Sequence, residues 1–179
     1  MEGDITVWST VGVGSTFTFT VRLPVADAVL SERNESVHAD LEVRCPDRPV
    51  RILLVDDLED NRDLVALFLK DMPSTIEMAE NGAVAVEKFQ QGVFDLVFMD
   101  MQMPVMDGLQ ATVAIREWER KQGRVPTAVV ALTAHALKEE RERSLAAGCN
   151  AHLTKPIKKQ ELLRAIADYA HPPSADLAA

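Results

Sequence analysis

Cysteine is scarce in this chain of 179 residues: Cys45 and Cys149 are its two, with no CxxC spacing and no Cys/His cluster around either. That excludes a disulfide framework and a structural zinc site, and it fits free thiols in a reducing cytosol. Cys149, just ahead of an apolar run, reads as a small core residue. Cations are short as well. Lys and Arg number 19 against 28 Asp and Glu, a net charge of −9, which argues against non-specific binding to a phosphate backbone. No apolar run approaches the roughly 18 residues of a membrane span. The start, Met1-Glu2-Gly3-Asp4, lacks the basic region and apolar core of a signal peptide. What is present in quantity is hydrophobic content, at 47%, enough for a globular core.

Three segments differ in pattern. In residues 1–24, Phe17, Phe19, Val21 and Leu23 alternate with Thr16, Thr18, Thr20 and Arg22, and Ile5 and Val7 begin an earlier alternating run. With Gly12-Val13-Gly14-Ser15 as the turn, this predicts a β-hairpin with one buried face. A lone hairpin is marginal in water, so that face needs something to pack on. Residues 25–49 lose all apolar period and end Cys45-Pro46-Asp47-Arg48-Pro49; they read as a linker with a little helix around Ala26 to Leu30. As a flexible coil its ends would stand about 25–30 Å apart. From Val50 onward apolar runs alternate with helical patterns five times: Val50–Val55, Thr75–Ala79, Phe94–Met99, Ala128–Leu132 and Ala151–Thr154. Asp60-Asn61 reads as a cap for a helix burying Leu64, Leu67 and Phe68. Asn81-Gly82 precedes Val84, Val86 and Phe89, and Asp107-Gly108 precedes Leu109 and Val113. Leu162, Ile166 and Tyr169 stripe the last helix. Alternating β and α units of this length make an α/β fold, a doubly wound five-stranded parallel sheet covered on both faces.

The ends of these strands carry the chemistry. Asp56 and Asp57 follow the first, Asp100 ends the third, Thr133 the fourth, and Lys155 follows the fifth. In an open α/β sheet the strand ends line the crevice where ligands bind. No glycine follows the first strand, so a dinucleotide-binding turn is excluded. An isolated Asp-Asp is usually an acidic loop or a helix cap, and a single Thr or Lys says little. Three carboxylates meeting at one edge would repel one another unless a cation were present. A divalent ion reverses that logic and keeps them ionised; Mg²⁺ suits few carboxylates, several waters and a phosphate oxygen. An ionised aspartate beside it can attack phosphorus.

Residues 50–170 resemble the receiver domain of bacterial response regulators. The resemblance rests on the acid pair, Met99-Asp100-Met101-Gln102-Met103-Pro104-Val105-Met106-Asp107-Gly108, Leu132-Thr133-Ala134 and Lys155-Pro156. It implies a flavodoxin-like (βα)5 fold with Asp100 as phosphoacceptor. It also implies Mg²⁺ held by Asp56, Asp57, Asp100 and the backbone carbonyl of Gln102, Asp57 more directly than Asp56. Thr133 and Lys155 would bind the phosphoryl group, and Lys155-Pro156 would be a cis peptide. The family usually has Tyr or Phe three residues before the lysine, as a switch that follows the threonine; here that residue is His152.

Gly12-Val13-Gly14-Ser15-Thr16-Phe17 with Leu23-Pro24 resembles the C-terminal end of a histidine-kinase ATP-binding domain. The upstream boxes that bind nucleotide have no counterpart here, so no kinase activity is expected of this chain. The order of kinase tail (1–24), linker (25–49), receiver (50–170) and tail (171–179) is that of the C-terminal piece of a hybrid sensor kinase, either a fragment or a product begun at an internal methionine. None of His38, His135, His152 or His171 sits in a phosphodonor-like helical motif. The donor, a histidine kinase or a histidine phosphotransfer protein, is therefore expected to act in trans. Signalling by conformational change or onward transfer follows, in the cytoplasm, with no nucleic-acid partner and no DNA-binding output after Tyr169. A constitutive interaction module without phosphorylation is one alternative. A small Mg²⁺-dependent phosphatase with an aspartate nucleophile is another, but it needs a second acid where Gln102 stands.

Overall fold

The structure, a computed structural model, describes residues 3–12, 14–21, 49–134 and 138–170. The expected linker and its Ala26–Leu30 helix lie outside the described residues, as do Cys45, His38, His135, His171 and the tail. Two units are distinguished, Met1–Glu42 and Val43–Ala179.

In the first unit β1 (Gly3–Thr10) pairs antiparallel with β2 (Gly14–Val21). Ile5 faces Phe19 and Val7 faces Phe17 across the ladder, the cross-strand apolar pairing that stabilises a ribbon. The expectation of a buried face is corrected here. Phe17 is 68% exposed and Phe19 75% exposed, because a two-stranded ribbon has no second layer of its own to cover either face.

The second unit runs β3 (Val50–Val55), α1 (Glu59–Leu69), β4 (Ser74–Ala79), α2 (Gly82–Gln91), β5 (Leu96–Asp100), α3 (Gly108–Gln122), β6 (Ala128–Thr133), α4 (Lys138–Ala147), β7 (Ala151–Thr154) and α5 (Lys159–Tyr169). The five strands are parallel in the order β4-β3-β5-β6-β7. Period-two alternation sorts each strand's apolar residues between two cores. Ile52, Leu54, Phe98, Val130 and Leu132 pack with Val65 and Leu69 of α1 and Leu162 and Ile166 of α5. Leu53, Val55, Val97, Met99 and Ala131 pack with Ala85 and Phe89 of α2 and Ala111 and Ile115 of α3. Burying both faces is why these strands read as continuous apolar runs. Cys149 is buried in the second core, and burial pushes its thiol up.

Two helix starts, those of α2 and α3, follow the capping chemistry. Asn81 accepts from the backbone N of Val84 at 3.0 Å, and Asp107 accepts from that of Gln110 at 2.8 Å. Neither α5, which starts at Lys159 after Lys158, nor α1, which starts at Glu59 after Leu58, has a side-chain cap. Asn61 instead donates to Asp56. The buried stripe is Val65 and Leu69, while Leu64 and Leu67 are exposed: the acid cluster draws Asn61 inward and fixes a helix phase that capping rules alone do not give.

At the far end of the sheet α3 carries a buried ionic network. Glu119 is 2% exposed; its Oε2 accepts from Arg116 at 2.6 Å and its Oε1 from the backbone N of Thr127 at 2.6 Å. The same guanidinium donates to the carbonyl oxygens of Thr127 (2.8 Å) and Gly148 (3.0 and 2.9 Å) and to Asn150 Oδ1 (3.1 Å). A Cβ on Gly148, whose φ is +106°, would stand 2.9 Å from Arg116 Cγ. Only glycine combines that backbone angle with that approach. The network ties α3 to the start of β6 and to the turn that ends α4.

The loop from β5 to α3 holds Val105 at φ 70° and 85% exposed. A left-handed β-branched residue costs about 1–2 kcal/mol, and glycine returns about 0.5–1 kcal/mol of that through unfolded-state entropy. Val105→Gly is therefore expected to stabilise the receiver by about 1 kcal/mol, read as a higher urea midpoint at unchanged m-value. A lower midpoint would contradict the strain.

Candidate phosphoacceptor site

The strand order reverses direction at β3 and β5, since β3 lies between β4 and β5 and the next strands continue outward from β5. Chains leaving the two central strands diverge to opposite faces, α1 with one core and α3 with the other, and a crevice opens between them. Asp56 and Asp57 follow β3, Asp100 closes β5, Thr133 closes β6, and Lys155 follows β7. Strand polarity therefore brings all five to one edge.

The three carboxylates offer oxygen atoms that all lie within 4.8 Å of one another. Asp56 is buried at 1% exposure. Its Oδ1 accepts from the backbone N of Leu58 (3.0 Å) and from Asn61 Nδ2 (2.9 Å), and its Oδ2 from Lys155 Nζ (2.6 Å). Asp100, 4% exposed, accepts from the backbone N of Gln102 at 3.1 Å and from Lys155 Nζ at 2.6 Å. Asp57 is exposed. Lys155 is set by its own backbone, whose N donates to the carbonyl of Thr133 at 2.8 Å, and the Lys155-Pro156 bond is cis. Gly108 admits the chain behind Asp100, since a Cβ there would stand 2.1 Å from the Asp100 carbonyl oxygen. Arg62 donates to the carbonyl of Asp56 at 2.5 Å.

One ammonium thus bridges two of three acids. Burial pushes the Asp100 carboxyl up, opposed by the hydrogen bond from Lys155. Burial would pull Lys155 down, but hydrogen bonds to Asp100 and Asp56 outweigh it and hold the ammonium above its ordinary value. Three carboxyl groups share one ammonium, so the cluster holds more acid than base. The exposed Asp57 turns that excess toward solvent. This oxygen-only donor set fits a hard divalent cation that retains waters. His152, on β7, is half-buried; burial and then the Arg141 charge push its imidazole down.

Sequence reasoning missed Asn61 and Arg62 as supports of Asp56. Their signal was a polar pair on the first turn after the acids, which capping rules claimed for another purpose.

The response regulator receiver domain family matches this chain over residues 52–167. The chain belongs to the response-regulator receiver family. Receivers are phosphoacceptor signalling modules, not enzymes that turn over a metabolite. Among curated relatives, this chain is 44% identical to the sensor protein GacS of Pseudomonas syringae pv. syringae over 131 residues, 73% of this chain and 14% of that protein. It is 33% identical to the autoinducer 2 sensor kinase/phosphatase LuxQ of Vibrio vulnificus (strain YJ016) over 162 residues, 90% of this chain and 18% of that one. The chain therefore spans less than a fifth of the length of these relatives. Among solved structures, the receiver of Ssk1 from Saccharomyces cerevisiae, crystallised with the histidine phosphotransfer protein Ypd1, superposes with a TM-score of 0.66 at 32% identity, covering 69% of this chain and 90% of that one. The receiver of the sensor histidine kinase PA1611 from Pseudomonas aeruginosa PAO1, with a magnesium ion in its active-site cleft, gives 0.62 at 34% identity, covering 68% and 98%. Both (βα)5 topology and family agree with the sequence reading. Among the described residues no helix is long and apolar enough to cross a membrane.

Proposed function

We propose that Asp100 accepts a phosphoryl group from a phosphohistidine, with Asp56, Asp57 and the Gln102 carbonyl completing a Mg²⁺ site and Thr133 and Lys155 binding the phosphoryl oxygens. The observation that carries this is the Lys155 ammonium 2.6 Å from both Asp56 and Asp100, in a cluster of three acids within 4.8 Å. Transfer forms a bond from an Asp100 carboxylate oxygen to phosphorus and breaks the phosphorus–imidazole bond, and the leaving imidazole takes a proton. Lys155 offsets charge on the phosphoryl oxygens as a point cation, and the Thr133 hydroxyl donates to one of them. The backbone N of Gln102 orients the Asp100 carboxylate. A divalent cation, when bound, supplies the remaining positive charge at the phosphoryl oxygens. Thr133 moving toward the phosphoryl group, with His152 following, is the proposed switch.

The donor is a histidine kinase or a histidine phosphotransfer protein, by analogy with Ssk1 and its partner Ypd1, and the setting is the cytoplasm. The hairpin is proposed as the last strands of a kinase ATP-binding domain, 25–49 as linker, 50–170 as receiver and 171–179 as tail. Similarity to LuxQ over 90% of the chain and the hairpin's uncovered apolar face support that order.

A Mg²⁺ titration followed by amide NMR shifts tests the metal assignment. Both oxygens of Asp56 are already engaged, whereas Asp57 is exposed. Asp57→Ala should weaken Mg²⁺ binding by at least about tenfold, and Asp56→Ala by less. The opposite order would exchange their roles.

A further inference from the structure

The two acids that follow β3 are held in opposite ways. Every polar atom of Asp56 is engaged. Its backbone N donates to the carbonyl of Ala79 at 3.1 Å, its carboxylate accepts from Leu58, Asn61 and Lys155, and its carbonyl accepts from Arg62 Nη1 at 2.5 Å. Asp57 stands one peptide further on, exposed, and its carboxylate has no hydrogen-bond partner among the described residues. Asn61 and Arg62 both belong to the first turn of α1, so that one turn grips the side chain and the main chain of the same aspartate. Of these contacts, that of Arg62 is the unusual one. A guanidinium beside an acid pair has its strongest partner in a carboxylate. Among the described residues Arg62 forms no ion pair with any of the three acids and is directed to a neutral carbonyl.

We infer that Arg62 is a positioning residue for the metal ligand Asp57, acting through the peptide that joins Asp57 to Asp56. The inference rests on the Mg²⁺ reading above. A peptide unit is planar, so fixing the Asp56 carbonyl fixes the plane that carries the Asp57 nitrogen and Cα. The Asp56 nitrogen is held by Ala79 on the other side, and the backbone that presents Asp57 is thereby anchored. Only its side-chain torsions are left to adjust when a cation arrives. Mg²⁺ demands near-ideal octahedral geometry, so a ligand on a wandering backbone would coordinate it poorly. The same residue has an electrostatic effect of opposite sign. Arg62 is a cation, and its charge near the cluster repels a divalent ion. Removing the side chain therefore relieves a repulsion and loosens a ligand at once. Groups behind a metal ligand are worth roughly 10–100-fold in metal affinity. Repulsion from a half-buried guanidinium is weakened by solvent and salt. Positioning is the larger effect.

The test is a Mg²⁺ titration of the full chain followed by amide NMR shifts. Arg62→Met and Arg62→Gln, which both remove the charge and the guanidinium, are each measured in the wild type and in Asp57→Ala. In the wild type each should weaken Mg²⁺ binding about tenfold, although a positive charge has been taken from beside the cation. In Asp57→Ala neither should weaken binding further, because the ligand that Arg62 positions is gone. Thermal unfolding without metal shows which variants are folded, and Arg62→Gln decides the matter if Arg62→Met is not. Binding that is unchanged or tighter in a folded Arg62 variant means that charge alone acts, and overturns the inference. An equal loss with and without the Asp57 carboxylate overturns it too, since general damage to the acid edge would give that result. Wild-type protein that shows no Mg²⁺-dependent shift would instead overturn the metal reading.

Discussion

Asp100→Asn is expected to abolish phosphoryl acceptance, lowering labelling from acetyl phosphate by at least roughly a thousandfold, as for loss of a nucleophile elsewhere. An amide nitrogen is not nucleophilic, and the amide oxygen is a weaker metal ligand than a carboxylate. The fold should survive. The Asn oxygen can still accept either from the backbone N of Gln102 or from Lys155, which hold Asp100 at 3.1 and 2.6 Å. Burial already disfavours the charged form of Asp100, so removing that charge relieves a desolvation cost. Thermal unfolding of the two proteins, run beside the labelling, separates lost chemistry from lost structure. Equal labelling of wild type and variant would move the acceptor to another residue.

Arg116→Ala carries the largest stability effect. It strands the Glu119 carboxylate at 2% exposure with the Thr127 amide still donating to it, and it takes the guanidinium away from the carbonyls of Thr127 and Gly148. Breaking one side of a buried pair costs about 3–5 kcal/mol, against about 5–15 kcal/mol of total stability for a domain. Denaturant unfolding should show that loss. The double variant Arg116→Met with Glu119→Leu should recover most of it, because no charge is then left buried. A loss below about 1 kcal/mol in the single variant would mean that water reaches the carboxylate and screens it.

The central strands were legible because each is buried on both faces, so Val50–Val55 and Phe98 with its neighbours stand out as unbroken apolar runs. Asn81 and Asp107 stand directly ahead of helical patterns in the sequence, and the amides they cap lie within one helical turn. The acid pair, Asp100, Thr133 and Lys155 could be gathered at one edge because strand polarity alone puts them there. What failed depended on distant partners. Asn61 looked like a cap until Asp56, five positions earlier, took its side chain, and the phase of α1 followed. The hairpin's alternation correctly gave its two faces but could not say whether anything covers one. The Arg116 network spans 34 positions to Asn150 and uses residue types common on any helix surface.

The most direct measurement is chemical. After reaction with a phosphohistidine donor in Mg²⁺, borohydride reduces an aspartyl phosphate to homoserine, and peptide mass spectrometry then reads the converted position. Conversion at Asp100 alone, absent when Mg²⁺ is chelated, is the predicted result. Conversion at Asp56 or Asp57, or phosphate retained on a residue that borohydride does not touch, would contradict it.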